Sequence, residues 1–151
     1  MREILFRGKR IDNGKWVEGW YEPPVTGRQP DGSEVSFSEC ITFIREEDGF
    51  LQDAKVIHDT IGQFTGLIDK NGKEVFEGDI GKYKQTDGAK RNGKLITCIG
   101  KVVYNAKTAS FAVESKDEAG CKYFDYFPIK DFEVIGNIHD NPELLEVEEN
   151  G

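Results

Sequence analysis

Along most of this chain apolar and polar residues alternate in short runs separated by Gly, Asn, Asp and Pro. That is the period-2 pattern of half-buried strands closed by tight turns. Residues 3–21, EILFRGKRIDNGKWVEGWY, read as two strands around Asp12-Asn13-Gly14. Asn-Gly predicts a type I′ turn there, because both residues tolerate positive φ. Ile4 and Phe6 alternate with Leu5 and Arg7; Trp16, Glu18 and Trp20 alternate with Val17 and Tyr21. Gly8 and Gly19 mark bulges or sites of close backbone approach. Residues 22–39 hold Pro23, Pro24, Gly27, Pro30 and Gly32 among polar residues and are expected to form a loop. CITFI at 40–44 is a β-branched strand, a turn passes through Asp48-Gly49, and VIHDTIGQF is extended.

The centre of the chain, GQFTGLIDKNGKEVFEGDI at 62–80, reads as a hairpin turning at Asn71-Gly72. Gly78 then breaks the chain and Asp79 opens the next strand, IGKYK, with Asp79 placed to accept backbone N–H groups. LITCIGKVVYN at 95–105 is the strongest strand; SFAVES at 110–115, KYFDYFPI at 122–129 and FEVIGNI at 132–138 follow. Asn141-Pro142 predicts a short helix over PELLEVEE, since Asn caps well and Pro suits the first helical position. Many short strands at turn-marked spacing predict a mainly β protein forming a small barrel or roll. The expected core is Phe64, Leu67, Phe76, Ile80, Val102, Tyr104, Phe111, Val113, Val134 and Ile138. Trp16 and Trp20 share one strand face and are expected to join it.

Composition narrows the function classes. The 151 residues carry 17 Gly, 5 Pro and 10 Phe and a net charge of -8. Six of the acids lie between Glu133 and Gly151, where there is no Lys or Arg, so residues 1–132 hold 22 acids against 20 bases. A near-neutral body with an acidic tail is neither a broadly nucleic-acid-attracting surface nor a strongly acidic one. Cys40, Cys98 and Cys121 are widely spaced and odd in number, which excludes a zinc ribbon and argues against a disulfide framework. The chain lacks a secretory h-region and an apolar run of spanning length, so a cytosolic protein without a membrane partner is expected.

Catalytic signatures are sparse. DKNGKEVFEGDI fails as a calcium loop, because from Asp69 position 5 is Lys73, position 6 is Glu74 and position 12 is Ile80. His58-Asp59 and His139-Asp140 pair imidazole with carboxylate, but neighbours on a strand point to opposite faces, so neither is a ready-made chelate. GxSxG, GxxxxGK[ST] and GxGxxG are absent. The expectation is therefore no enzyme, no cofactor and no metal. Trp16, Trp20 and Tyr21 lie beside Lys9, Arg10 and Lys15, and aromatics among bases can stack nucleobases and neutralise phosphates. Lys90-Arg91 in a polar loop extends that candidate surface. Gln63 and Thr65, polar residues between Gly62 and Gly66, either hydrogen-bond backbone or face a partner. The tail residues Leu144, Leu145 and Val147 could cover a partner or a neighbouring subunit.

ILFRGKRIDNGKWVEGWY at the start, TIGQFTGLIDKNGKEVFEGDI in the centre and FEVIGNIHDNPELL near the end together resemble the YopX family of phage and prophage proteins. The resemblance implies an SH3-like barrel or roll over residues 61–140, preceded by an N-terminal β-hairpin and loop region at 1–60. Residues 141–151 then form the short helix and acidic tail. It implies a phage or prophage gene acting in the cytosol of a bacterial host, and it brings no catalytic residues. Members often carry Pro where this chain has His58, which weakens any essential role for that residue. The first expectation is a non-enzymatic protein-binding or assembly module, acting through a protein partner or self-association; the alternative is a nucleic-acid-binding barrel, and a metal-assisted hydrolase ranks third.

Overall fold

The predicted alternation becomes antiparallel sheets, and the first of them turns Trp16 and Trp20 away from the core. The computed structural model describes residues 4–86, 95–116 and 120–146, in two units, Met1–Phe64 and Thr65–Gly151. Strands β1 (Phe6–Lys9) and β2 (Trp16–Glu22) pair with Gly8 opposite Val17 and Lys9 opposite Trp16. β5 (Cys40–Ile44) pairs with β2 and with β6 (Leu51–Lys55), and β1 also pairs with β7 (Gly62–Ile68). Val17, Ile41, Ala54 and Val56 form the buried cluster of this unit, with Phe6, Phe43 and Ile61 packed against it. Ile41 is fully buried, a gain of roughly 1.5–3 kcal/mol for a side chain of that size.

Gly19 decides which face of β2 turns inward. A Cβ there would lie 2.1 Å from the Thr42 carbonyl oxygen, so only hydrogen fits. Val17 and Gly19 face in, and Trp16, Glu18 and Trp20 face out; Trp20 is 48% exposed. The expectation that the two tryptophans build the core is thus overturned.

Two turns also depart from expectation. Gly14 has φ 70° while Asn13 stays at negative φ, so the first turn is not type I′. Arg10 N donates to Lys15 O (2.9 Å) and Gly14 N to Arg10 O (3.0 Å), a four-residue loop closed by one left-handed glycine. Within the expected loop 22–39, β3 (Val25–Arg28) and β4 (Glu34–Phe37) pair as a hairpin. Its prolines stand outside both strands, and Asp31 Oδ1 ties the turn by accepting from Ser33 N (2.9 Å).

In the second unit β9 (Asp79–Thr86), β10 (Leu95–Asn105), β11 (Ser110–Lys116) and β12 (Lys122–Tyr126) form a meander. β13 (Glu133–Asn137) returns beside β9, giving the order β12-β11-β10-β9-β13. β8 (Glu74–Phe76) follows the hairpin at Asn71-Gly72. The sheets are antiparallel and form no closed barrel among the described residues. Val75, Tyr83, Cys98, Val102, Val113 and Phe132 make the buried cluster. Phe64, in the first unit, and Phe76, Ile80, Val102 and Val113, in the second, are buried as expected, while Phe111, Val134 and Ile138 are half-buried.

Leu67 (39% exposed) and Tyr104 (49% exposed) are not core residues. Phe64 and Thr65 are both buried and Gly66 takes φ 85°, which breaks the alternation before Leu67. Tyr104 faces Phe111 across the end of the β10–β11 ladder, edge to face at 5.5 Å, and stays half in solvent. The expected C-terminal helix is a single 3-10 turn, Pro142–Leu145. Asn141 does not cap it, because its Oδ1 accepts from Asn137 N instead (3.3 Å). No helix among the described residues is long and apolar enough to cross a membrane.

Candidate functional site

The outward face of β1–β2 carries the basic and aromatic residues singled out in the sequence. Because Lys9 stands opposite Trp16 and Arg7 opposite Glu18, all four share one side of the ladder. The Arg7 guanidinium lies 4.7 Å from the Trp16 ring centroid and the Lys9 ammonium 5.5 Å from it. These are cation–π contacts, so Trp16 is already engaged by cations of its own sheet, and Trp20 is the freer ring. Arg10 turns away from this face, holding Asp12 at 2.7 Å.

Tyr21 belongs to the other face and to a different constellation. Its hydroxyl donates to Glu39 Oε2 (2.7 Å), and His58 Nδ1 lies 2.9 Å from Glu39 Oε1. The 3-10 turn His58–Thr60 presents the imidazole, and Thr60 fixes that turn by donating to Ile57 O (2.6 Å) and accepting from Lys9 N (2.8 Å). Burial pushes the Glu39 carboxyl up, but the hydrogen bonds from Tyr21 and His58 outweigh it and hold it below the ordinary glutamate range. The hydrogen bond to Glu39, then its charge, raises the His58 pKa. The group lies in an open recess walled by Ile11, Pro24, Val56 and Ile57. A carboxylate that fixes one imidazole nitrogen leaves the other facing outward, which suits recognition of a polar group among apolar contacts.

The remaining sequence candidates separate. Thr65 is buried and donates from Oγ1 to Val75 O (2.8 Å), so it closes backbone. Gln63 is half-buried beside Phe6 on the β1–β7 ladder. His139 and Asp140 sit in a turn whose backbone N–H groups both donate to Asn137 Oδ1 (3.0 and 2.9 Å). Lys90, Arg91 and Val147 lie outside the described residues. Among the described residues no group of three or more His, Cys, Asp or Glu side chains is placed to hold a metal ion.

A family profile described as YopX protein matches residues 5–146, which takes in both units. The chain belongs to the YopX family. A solved structure similar to this YopX chain is the crystal structure of protein EF1440 from Enterococcus faecalis. It is 22% identical, with a TM-score of 0.45, and the match covers 97% of this chain and 100% of that one. Comparison with curated proteins finds no match.

One buried carboxylate of this YopX chain escaped the sequence reading, and a second stands where the sequence placed it. Asp69, 7% exposed, accepts from Asn71 N and Lys73 N at 2.9 Å through Oδ1 and from Val134 N at 3.0 Å through Oδ2. It therefore holds the central hairpin turn and ties it to β13. Asp79, 1% exposed, accepts from Phe76 N at 2.8 Å and fixes the turn through Gly78. Both are structural carboxylates. A partly buried polar network joins β9, β10, β11 and β12: Tyr83 donates to Asp125 and lies 3.1 Å from Ser115 Oγ, and Tyr123 donates to Cys98 Sγ at 3.5 Å. Burial, then the hydrogen bond to Asp125, drives the Tyr83 pKa far up, which keeps the phenol neutral. The period-2 spacing of Tyr83, Tyr123 and Asp125 places them on inner faces; their meeting depends on strand register.

Proposed function

We propose that this YopX protein is a non-enzymatic assembly module that associates through its first unit. The observation that supports the reading is a pair of apolar cross-strand contacts left in solvent. Val25 (54% exposed) stands opposite Phe37 (65%) on the β3–β4 hairpin, and Ile44 (55%) stands opposite Leu51 (64%) on the β5–β6 hairpin, next to Phe50 (67%). Single exposed apolar residues are ordinary, but directly paired ones on two hairpins form surface that association would bury. The recess around Glu39 adds Ile11 (62% exposed) and Ile57 (44%) with a polar anchor in their midst.

The reading takes the second unit as an SH3-like roll opened along one side, since β13 returns beside β9; the strand order supports this. It takes the cytosol of a bacterial host and a phage or prophage origin from the family resemblance. The test is light scattering on the wild type and on Val25→Ser/Phe37→Ser and Phe50→Ser/Leu51→Ser variants. The wild type is expected to gain mass with concentration, and each variant to stay smaller. A wild type that remains monomeric from about 1 μM to about 1 mM, the range of weak association, overturns the reading. Nucleic-acid binding stands as the second reading, and the observation that favours it lies in the second unit.

A further inference from the structure

The outward side of the β9–β12 sheet is basic in a chain whose net charge is -8. On β9, Lys82 and Lys84 are exposed, and Lys82 stands opposite Ile99 of β10. Lys101 stands opposite Glu114 of β11, and Lys116, two residues along, shares that face. Lys116 in turn stands directly opposite Lys122 of β12. Five lysines thus meet two glutamates: Glu114, which lies 3.3 Å from Lys101 Nζ and 3.1 Å from Lys122 Nζ, and Glu133, which lies 3.5 Å from Lys82 Nζ. Glu114 is only 12% exposed and serves as a post between two ammonium groups. Like charges directly opposite on a ladder cost stability, so the Lys116–Lys122 pair is an arrangement that folding alone does not favour.

Two kinds of surface complete the face. Ile99 (42% exposed), Phe124 (41%) and Tyr126 (45%) are bare among the lysines. A recess lined by Ile99, Leu145 and three of these lysines, Lys101, Lys116 and Lys122, with Glu114 and Ser115 between them, opens onto the same side. A sheet face with exposed rings between ammonium groups fits a ligand that carries anionic charge and stackable rings together. We propose that this face binds single-stranded nucleic acid, with Lys101, Lys116 and Lys122 on its phosphates and a base stacked on Phe124. A duplex hides its base faces in its own stack, and an acidic peptide satisfies the lysines but not the ring.

The test is fluorescence anisotropy of a labelled oligo-dT and of a duplex, followed against salt with the full chain. Oligo-dT is expected to bind more tightly than the duplex, with affinity falling as salt rises. Phe124→Ala is expected to weaken oligo-dT binding about 5- to 150-fold, the loss for one stacked base. Lys116→Gln/Lys122→Gln is expected to flatten the salt slope by about 1.4, two phosphate contacts at ~0.7 each. All three side chains are exposed, so Phe124→Ala should keep the wild-type urea midpoint, and the lysine double variant, which loses one ion pair to Glu114 and one like-charge pair, should stay close to it; should that variant fail to fold, Phe124→Ala carries the test. Four results overturn the proposal: no oligo-dT binding at low salt, equal binding by wild type and variants, loss of binding in Trp20→Ala alone, or a peptide of residues 143–151 binding this face where oligo-dT does not.

Discussion

Replacing Asp69 by Asn isolates what one buried carboxylate contributes. Its three hydrogen bonds reach Asn71, Lys73 and Val134. The amide of Asn can keep its oxygen toward the two turn N–H groups, which leaves an NH2 facing the Val134 N–H, donor against donor. An unmet N–H in a half-buried position costs about 1–3 kcal/mol, and loss of the charge weakens the two turn bonds further. The expected destabilisation is therefore about 2–4 kcal/mol, read as a lower urea midpoint at unchanged slope. Acid supplies a second readout. Burial pushes the Asp69 carboxyl up, but hydrogen bonds from Val134, Lys73 and Asn71 outweigh it and hold its pKa below the ordinary value. A depressed carboxylate stabilises the fold above its unfolded pKa of about 3.9, and that gain is lost as pH falls through the lower folded value. The gap between wild type and Asp69→Asn should therefore close in acid. A destabilisation below about 0.5 kcal/mol at neutral pH, within the range of ordinary surface substitutions, or a gap that does not change with pH, refutes the reasoning.

Gly19→Ala drives a methyl against the Thr42 carbonyl, and Gly81→Ala would place its Cβ 2.1 Å from the Phe132 ring; each should cost about 1–3 kcal/mol or more in urea unfolding. His58 should titrate above the ordinary histidine value of about 6.5 by NMR, and Glu39→Gln should bring it down. The stability from that pair is full below the unfolded pKa and lost as pH rises through the folded one. Thiol labelling under native conditions should modify exposed Cys121 first, half-buried Cys40 more slowly and buried Cys98 only on unfolding; equal rates would contradict the burial pattern.

Much of the strand map was legible because alternation and turn residues are local. β5 and β10 fall where the β-branched runs predict, and Asn71-Gly72 and Gly78-Asp79 turn as their chemistry requires. What alternation cannot supply is which of two faces turns inward. Trp16 and Trp20 have the hydrophobic bulk, yet Gly19 meets the β5 backbone so closely that the opposite face had to be the buried one. The β3–β4 hairpin was hidden because its strands are exposed except at half-buried Val35, with proline before and between them. The candidate sites were less legible still. Glu39 and His58 meet across 19 residues of chain, and the lysine face exists only once the registers of β9, β10, β11 and β12 are set.

Hydrogen exchange on the protein at low and high concentration tests association through the first unit most directly. Amides of Val25–Arg28, Glu34–Phe37 and Leu51–Lys55 should gain protection as concentration rises, while those of β9–β13 stay unchanged. Protection that does not depend on concentration, or that grows on β9–β13 instead, would contradict the account.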